Sequence, residues 1–176
     1  CGVDLISTTG VDLKGALPRD QWAHAACTFD GSVAKLYING SVAATQTRTG
    51  SPKTSQDPLI IGSDPYDRFW LKGNLDEVKI YGRALTEAEV AAEASLNAVS
   101  SSGLVANYHL DETSGTLVSD SSGLGNHGTS LNTHGASGKV GGSFEFNGES
   151  AKVTVPGSPN LSLTGAITVE AWIYQA

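Results

Sequence analysis

QWAHAACTFDGSVAKLYINGSVAATQT, residues 21–47, decides the fold. HAACTF and VAKLYI are strand-like runs, and DGS separates them. Asn39-Gly40 then separates the second run from SVAAT. Asn-Gly between β-prone residues is the strongest short-range hairpin signal, because both central residues of a type I′ turn need positive φ. Asp30-Gly31 supplies another tight turn just before it. The reading is an antiparallel meander.

The same pattern extends in both directions. PLIIGSD reads as a short buried strand, and SDPYDRFW as a loop carrying aromatics. LDEVKIYG is a strand with Leu75, Val78 and Ile80 apolar. RALTEAEVAAEA is the one good helix candidate, near residues 86–95; Thr86 as N-cap and Glu89 three residues on form a capping box. NAVSSSG then reads as a linker. GLVANYHL, SGTLVSD, SFEFNG and AKVTVP return to β character, with DSSGLGNHG (residues 120–128) as a loop. In the last strand, Ile167, Val169, Ala171 and Ile173 share one face, and Glu170 and Trp172 the other. Trp22 and Trp172 lie in strands, so core packing is their expected role. Many close-spaced strands with a single short helix predict an all-β, antiparallel jelly-roll β-sandwich.

Composition narrows the partners. The 176 residues suffice for one domain with a hydrophobic core, and 21 glycines suit tight turns. A net charge of −7 repels phosphate backbones, which argues against nucleic acid, and attracts divalent cations. No apolar run approaches the roughly 18–20 residues needed to span a bilayer. The chain contains no Met, which leads us to expect a processed product or a segment of something longer. Cys1 and Cys27 either pair, closing a loop of about 26 residues worth about 3–4 kcal/mol, or leave Cys27 as a small core residue and Cys1 free.

The chemistry-bearing residues are few. Paired acids at alternate strand positions would suit glycoside hydrolysis, but FEFNGE and LDEV do not provide them, and no nucleophile elbow or phosphate loop is present. The expectation is therefore no enzyme. His24, His109, His127 and His134 match no zinc spacing. Tyr66, Phe69 and Trp70, near Asp64, Asp67 and Arg68, could stack on sugar rings; alternatively Phe69 and Trp70 simply begin a buried strand. Tyr66, Trp70 and the loop residue His127 are the ligand-binding candidates. Asp120, Ser122 and Asn126, with freely turning glycines, could supply oxygens to Ca2+. One carboxylate carries too little charge, and Asp76 is the second candidate ligand. In an alternating strand it shares a direction with Val78, so it would be a core-facing charge that a cation neutralises. The alternative for Asp120 and Asn126 is an Asx-type turn without metal.

GLVANYHLDETSGTLVSDSSGLGNHG, GKVGGSFEFNG, LTGAITVEAWIY, QWAHAACTFDGSVAKLYING and GNLDEVKIYGRALTEAEV together resemble the bacterial laminin-G-like jelly-roll domains of the concanavalin A-like lectin/glucanase superfold. The resemblance implies that the 120–128 loop and the LDEV strand lie close together, with a structural calcium near both. The order, however, is reversed. Residues 103–176 resemble the N-terminal part of such a sandwich and residues 1–97 its C-terminal part, with 98–102 as linker; strands of the middle are missing. The chain is then a window across tandem repeats, a circular permutant, or a subunit whose halves complete sandwiches with neighbours. Two functions follow. One is a secreted or cell-surface, calcium-stabilised binding and adhesion module recognising a glycan or protein. The other is a structural repeat of an extracellular filament or large adhesin, which recognises copies of itself by head-to-tail or strand-exchange contacts.

Overall fold

The computed structural model describes residues 13–52, 56–64 and 66–175. The meander is present as β1 (Trp22–Phe29), β2 (Val33–Ile38) and β3 (Ser41–Thr47). Asn39 and Gly40 take φ of 50° and 77°, as a type I′ turn requires. Asn39 does more than turn: its Oδ1 accepts the His24 N–H at 2.9 Å, and its own N–H donates to the His24 carbonyl at 2.8 Å. Asp30 Oδ1 accepts the Ser32 and Val33 N–H groups and closes the preceding turn.

The remaining strands and the α-helix are β4 (Leu59–Ile61), β5 (Lys72–Tyr81), α1 (Glu87–Glu93), β6 (Leu104–Tyr108), β7 (Leu117–Val118), β8 (Gly128–Leu131), β9 (His134–Ser137), β10 (Gly142–Asn147), β11 (Lys152–Val155) and β12 (Ile167–Tyr174), with a 3-10 turn at Pro159–Leu161. The larger sheet runs β3-β2-β1-β12-β5-β10-β9, and β6 also pairs with β5; the smaller runs β4-β11-β8-β7. The ladders between strands are antiparallel. The two sheets form an all-β sandwich with one short helix. Phe144, Phe146, Val153, Val155, Ile80 and Tyr108 meet in the core between them.

Chain order and spatial order differ. The last strand, β12, lies between β1 and β5, and β11 pairs with β4. Segments from both sides of residues 98–102 therefore complete one sandwich within a single chain. Apolar faces that would be wet in either half alone cover each other. Near the ends of the described chain, the Asp20 N–H donates to the Gln175 carbonyl at 2.9 Å. Residues 98–102 link α1 to β6, and Arg83 Nε donates to the Ser102 carbonyl at 2.7 Å.

One expectation about β5 is corrected. Regular alternation puts Asp76 on the core side with Val78. The register against β12 instead shifts between Glu170 and Trp172, and Glu77 takes φ of 50°. A bulge of this kind turns the strand over. Leu75 before it and Val78 and Ile80 after it all reach the core. Asp76 pairs with Trp172 and shares that residue's outer face, yet is 0% exposed.

The tryptophans are corrected too. Trp172 is buried, but on the outer face, edge-on to His24 at 5.4 Å. Trp22 shares that face and is half-buried against Tyr174. On the same face α1 packs Val90 against Ala26, Tyr37 and Tyr81. Its capping box is formed: Thr86 Oγ1 accepts the Glu89 N–H at 3.2 Å, and the Thr86 N–H donates to Glu89 Oε2 at 2.8 Å.

Candidate functional site

The 120–128 loop folds around its aspartate. Asp120 is buried. Its Oδ1 accepts the N–H groups of Asn107 (3.0 Å) and Ser122 (2.9 Å), and its Oδ2 accepts the Ser122 hydroxyl and the Asn126 N–H, both at 2.8 Å. Burial opposes ionisation, but these donors outweigh it and hold the carboxyl below its usual range. Asn126 donates through Nδ2 to the Val105 carbonyl, and its Oδ1 accepts the Ser158 hydroxyl at 2.6 Å. His127 is exposed, and its Nδ1 accepts the Asp120 N–H. Calcium needs oxygen lone pairs directed at one centre. Here the side-chain oxygens of Asp120 and Asn126 face N–H and O–H donors, so as arranged this loop does not fit the ion; it is an Asx-type turn.

Asp76 has other partners. Its Oδ2 accepts the Val140 N–H at 2.8 Å, and its Oδ1 is buried without a hydrogen-bond partner. Burial raises its pKa to about 6 despite the backbone donors. At the far end of the same 138–142 turn, Asp111 Oδ1 accepts the Gly142 N–H. The turn needs glycine at both places: a Cβ on Gly138 would stand 1.7 Å from the Gly142 carbonyl oxygen and 2.7 Å from Asp76 Oδ2, and one on Gly141 2.7 Å from Asp111 Oδ1. Among the described residues, no three His, Cys, Asp or Glu side chains gather as a metal-binding group.

The aromatic loop is a built tip. Asp64 Oδ1 accepts the N–H groups of Arg68 (2.6 Å) and Phe69 (3.1 Å), and its Oδ2 accepts Arg68 Nε at 2.9 Å. Lys152 Nζ donates to Asp67 at 2.9 Å. Trp70 Nε1 donates to the Asp67 carbonyl, so Trp70 is half-buried and props the loop from below. Phe69 does not start a buried strand. It is 71% exposed and Tyr66 76%, and the Arg68 guanidinium lies 4.8 Å from the Tyr66 ring and 5.7 Å from the Phe69 ring.

A further polar cluster lies on the outer face of the larger sheet. His24 and Glu170 are each 2% exposed, with His24 Nε2 3.7 Å from Glu170 Oε2. Beside them Lys79 Nζ donates to Glu93 Oε2 at 2.6 Å, and the Tyr81 hydroxyl donates to Glu93 Oε1 at 2.9 Å. Burial raises the Glu170 pKa to about 8 and lowers that of His24 to about 4, so both are neutral at pH 7.

Residues 5–91 match a laminin-G family described as the concanavalin A-like lectin/glucanases superfamily. This segment belongs to the laminin-G-like family. The chain is also 29% identical to mouse Pappalysin-1 over 90 residues, which are 48% of this chain and 6% of that protein. It therefore spans a small fraction of that relative's length. No solved structure matches.

Of the ligand candidates read from sequence, Tyr66 is exposed at the tip, Trp70 is half-buried beneath it and His127 lies in the separate 120–128 loop, while the Glu170–His24 cluster was missed. Glu170 in β12 and His24 in β1 lie far apart in sequence, so no local spacing reveals them. The usable signal was a charged residue inside ITVEAWIY, a strand too central to leave either face in water. Cys27 is buried in β1, and burial pushes its thiol up to about 11. Its pairing with Cys1 lies outside the described residues.

Proposed function

We propose that the chain is a non-catalytic recognition module of an extracellular protein, binding glycans through the tip that carries Tyr66, Arg68 and Phe69. One observation carries this reading: two aromatic rings more than two-thirds exposed flank a guanidinium on a tip tied down at Asp64 and Asp67. Exposed rings on a stiff support offer stacking area with little ordering cost, and the neighbouring acids and Arg68 offer hydrogen bonds to hydroxyls. The laminin-G-like match supports a setting outside the cell or at its surface. Tyr66→Ala with Phe69→Ala is expected to remove glycan-array binding by about tenfold or more with an unchanged melting temperature. A blank array for the unaltered protein, or equal binding by the double variant, overturns the reading. The filament alternative drew on open half-sandwiches, and with the halves closed on each other no observation favours it.

We place a stabilising calcium ion at Asp76 rather than in the 120–126 loop. The support is the buried, unpartnered Asp76 Oδ1, with Asp111 at the other end of the same turn. A buried carboxylate without a counter-charge is costly, and a cation offsets that cost. Saturating calcium is expected to add about 2–3 kcal/mol, or roughly 5–10 °C in melting temperature, and EDTA to remove it. Asp76→Asn should abolish the response, whereas Asp120→Asn should lower stability and keep it. Identical melting with calcium and with EDTA rejects the site.

A further inference from the structure

We propose that Lys79 and Glu93 condense into an intramolecular amide bond that ties α1 to β5, with Glu170 as the proton carrier and the Tyr81 hydroxyl as the donor to the reacting carbonyl. The four side chains come from three elements. Lys79 and Tyr81 belong to β5, Glu93 ends α1 and Glu170 lies in β12. Lys79 and Glu170 are register partners in the β5–β12 ladder. Cross-strand partners leave the same face with their Cβ atoms about 5 Å apart. All four side chains line one cavity on the outer face, together with His24 and Asn107.

A structural ion pair does not account for this cluster. Lys79 Nζ meets Glu93 Oε2 at 2.6 Å, with the two side chains 19% and 8% exposed. That pair is complete without a second acid. Yet Glu170 stands beside it, 2% exposed, with its Oε2 buried and without a hydrogen-bond partner. A buried polar atom left unpaired is destabilising, so a purely structural role favours an apolar side chain here. Burial raises the Glu170 pKa to about 8 and keeps it protonated at neutral pH. A neutral carboxyl takes a proton on one oxygen and gives one from the other. The remaining lining acid, Glu77, is engaged by His109 at 2.7 Å and takes no part.

The steps balance without any co-reactant. A proton passes from Lys79 Nζ to Glu93 Oε2 along their existing hydrogen bond, leaving a neutral amine and a neutral acid. Nζ then bonds to Glu93 Cδ. Negative charge gathers on Oε1, where the Tyr81 hydroxyl already donates at 2.9 Å. Glu170 takes the surplus proton from Nζ on one oxygen and gives its own to Oε2. The Cδ–Oε2 bond breaks, one water leaves through the cavity, and Glu170 is restored. Nothing is oxidised or reduced. Fixed contact between amine and acid replaces a bimolecular encounter. A neutral amide also relieves the desolvation cost of the buried ion pair. The product joins helix to sheet across the outer face.

The test is mass spectrometry of the full chain, denatured after prolonged incubation at neutral pH. The expected mass is that of the sequence less one water. Trypsin should then release a branched peptide that joins Gly73–Arg83 to Ala84–Lys139 and is uncut at Lys79. Lys79→Arg keeps the charge pair but should retain the full mass, with an unchanged circular dichroism spectrum. Glu170→Gln should slow bond formation about a hundredfold in a folded chain, as loss of a proton carrier implies. Tyr81→Phe should slow it by a similar factor of about a hundred. A parent chain without the branched peptide, whatever its mass, overturns the proposal. Undiminished bond formation in Glu170→Gln overturns the part given to Glu170.

Discussion

Asp120→Ala is expected to destabilise the chain by about 3–5 kcal/mol, a large part of the roughly 5–15 kcal/mol available to a domain. The reason is the number of donors converging on one carboxylate. Removing it leaves the N–H groups of Asn107, Ser122 and Asn126 facing an empty acceptor position. The Ser122 hydroxyl keeps an alternative, since the Val105 carbonyl lies 3.1 Å away. The loss also spreads: Asn107 belongs to β6, so the loop would detach from the strand it braces. Asp120→Asn retains one acceptor oxygen and should cost about half as much. Ser121→Ala, at an exposed position, should be near neutral. Urea unfolding of the three variants checks this, and an alanine variant within about 1 kcal/mol of the parent would refute the carboxylate's bracing role.

Glu170→Gln is expected to remove a loss of stability between pH 6.5 and 8. Facing Glu170 are His24 from β1, Lys79 and Tyr81 from β5 and Glu93 from α1. The folded state holds the Glu170 proton up to about pH 8, against 4.5 in the free group. Its stabilising contribution is complete below about 4.5 and is lost as pH rises toward 8. His24 works the other way: its folded pKa near 4 lies below the ordinary 6.5, so its contribution is present above 6.5 and lost on acidification toward 4. Asp76, raised to about 6, has finished most of its change by pH 6.5. Between 6.5 and 8, Glu170 is thus the group that drives the change, at about 1.4 kcal/mol per pH unit, or roughly 2 kcal/mol in all. Glutamine cannot ionise, so its unfolding midpoint should stay level over this window while that of the parent falls. Parallel curves for the two proteins would show that Glu170 is not held neutral in the fold.

The outcome follows the range of the interactions involved. The β1–β3 meander, the capping box of α1 and the strand character of ITVEAWIY were all readable, because they depend on φ preferences and on contacts a few residues apart. The direction of Asp76 was not. Two-residue alternation held as far as Leu75 and failed at Glu77, where a bulge against β12 reversed the faces. Nothing inside LDEV announces that bulge, since it arises from pairing with a strand about ninety residues away in sequence. The 120–128 loop was half legible. Its residues suggested either an ion or an Asx-type turn, and the donors that meet its oxygens include Asn107 and Ser158, which lie outside the loop.

By itself, then, the sequence determined the sandwich class, the turns, the helix and the laminin-G-like resemblance, since each is written in local pattern. Tertiary structure alone decided that the two halves close on each other, with β12 between β1 and β5. It alone brought Glu170, His24 and Asn107 around one cavity. Those residues come from three strands far apart in the chain, and only sheet register makes them neighbours.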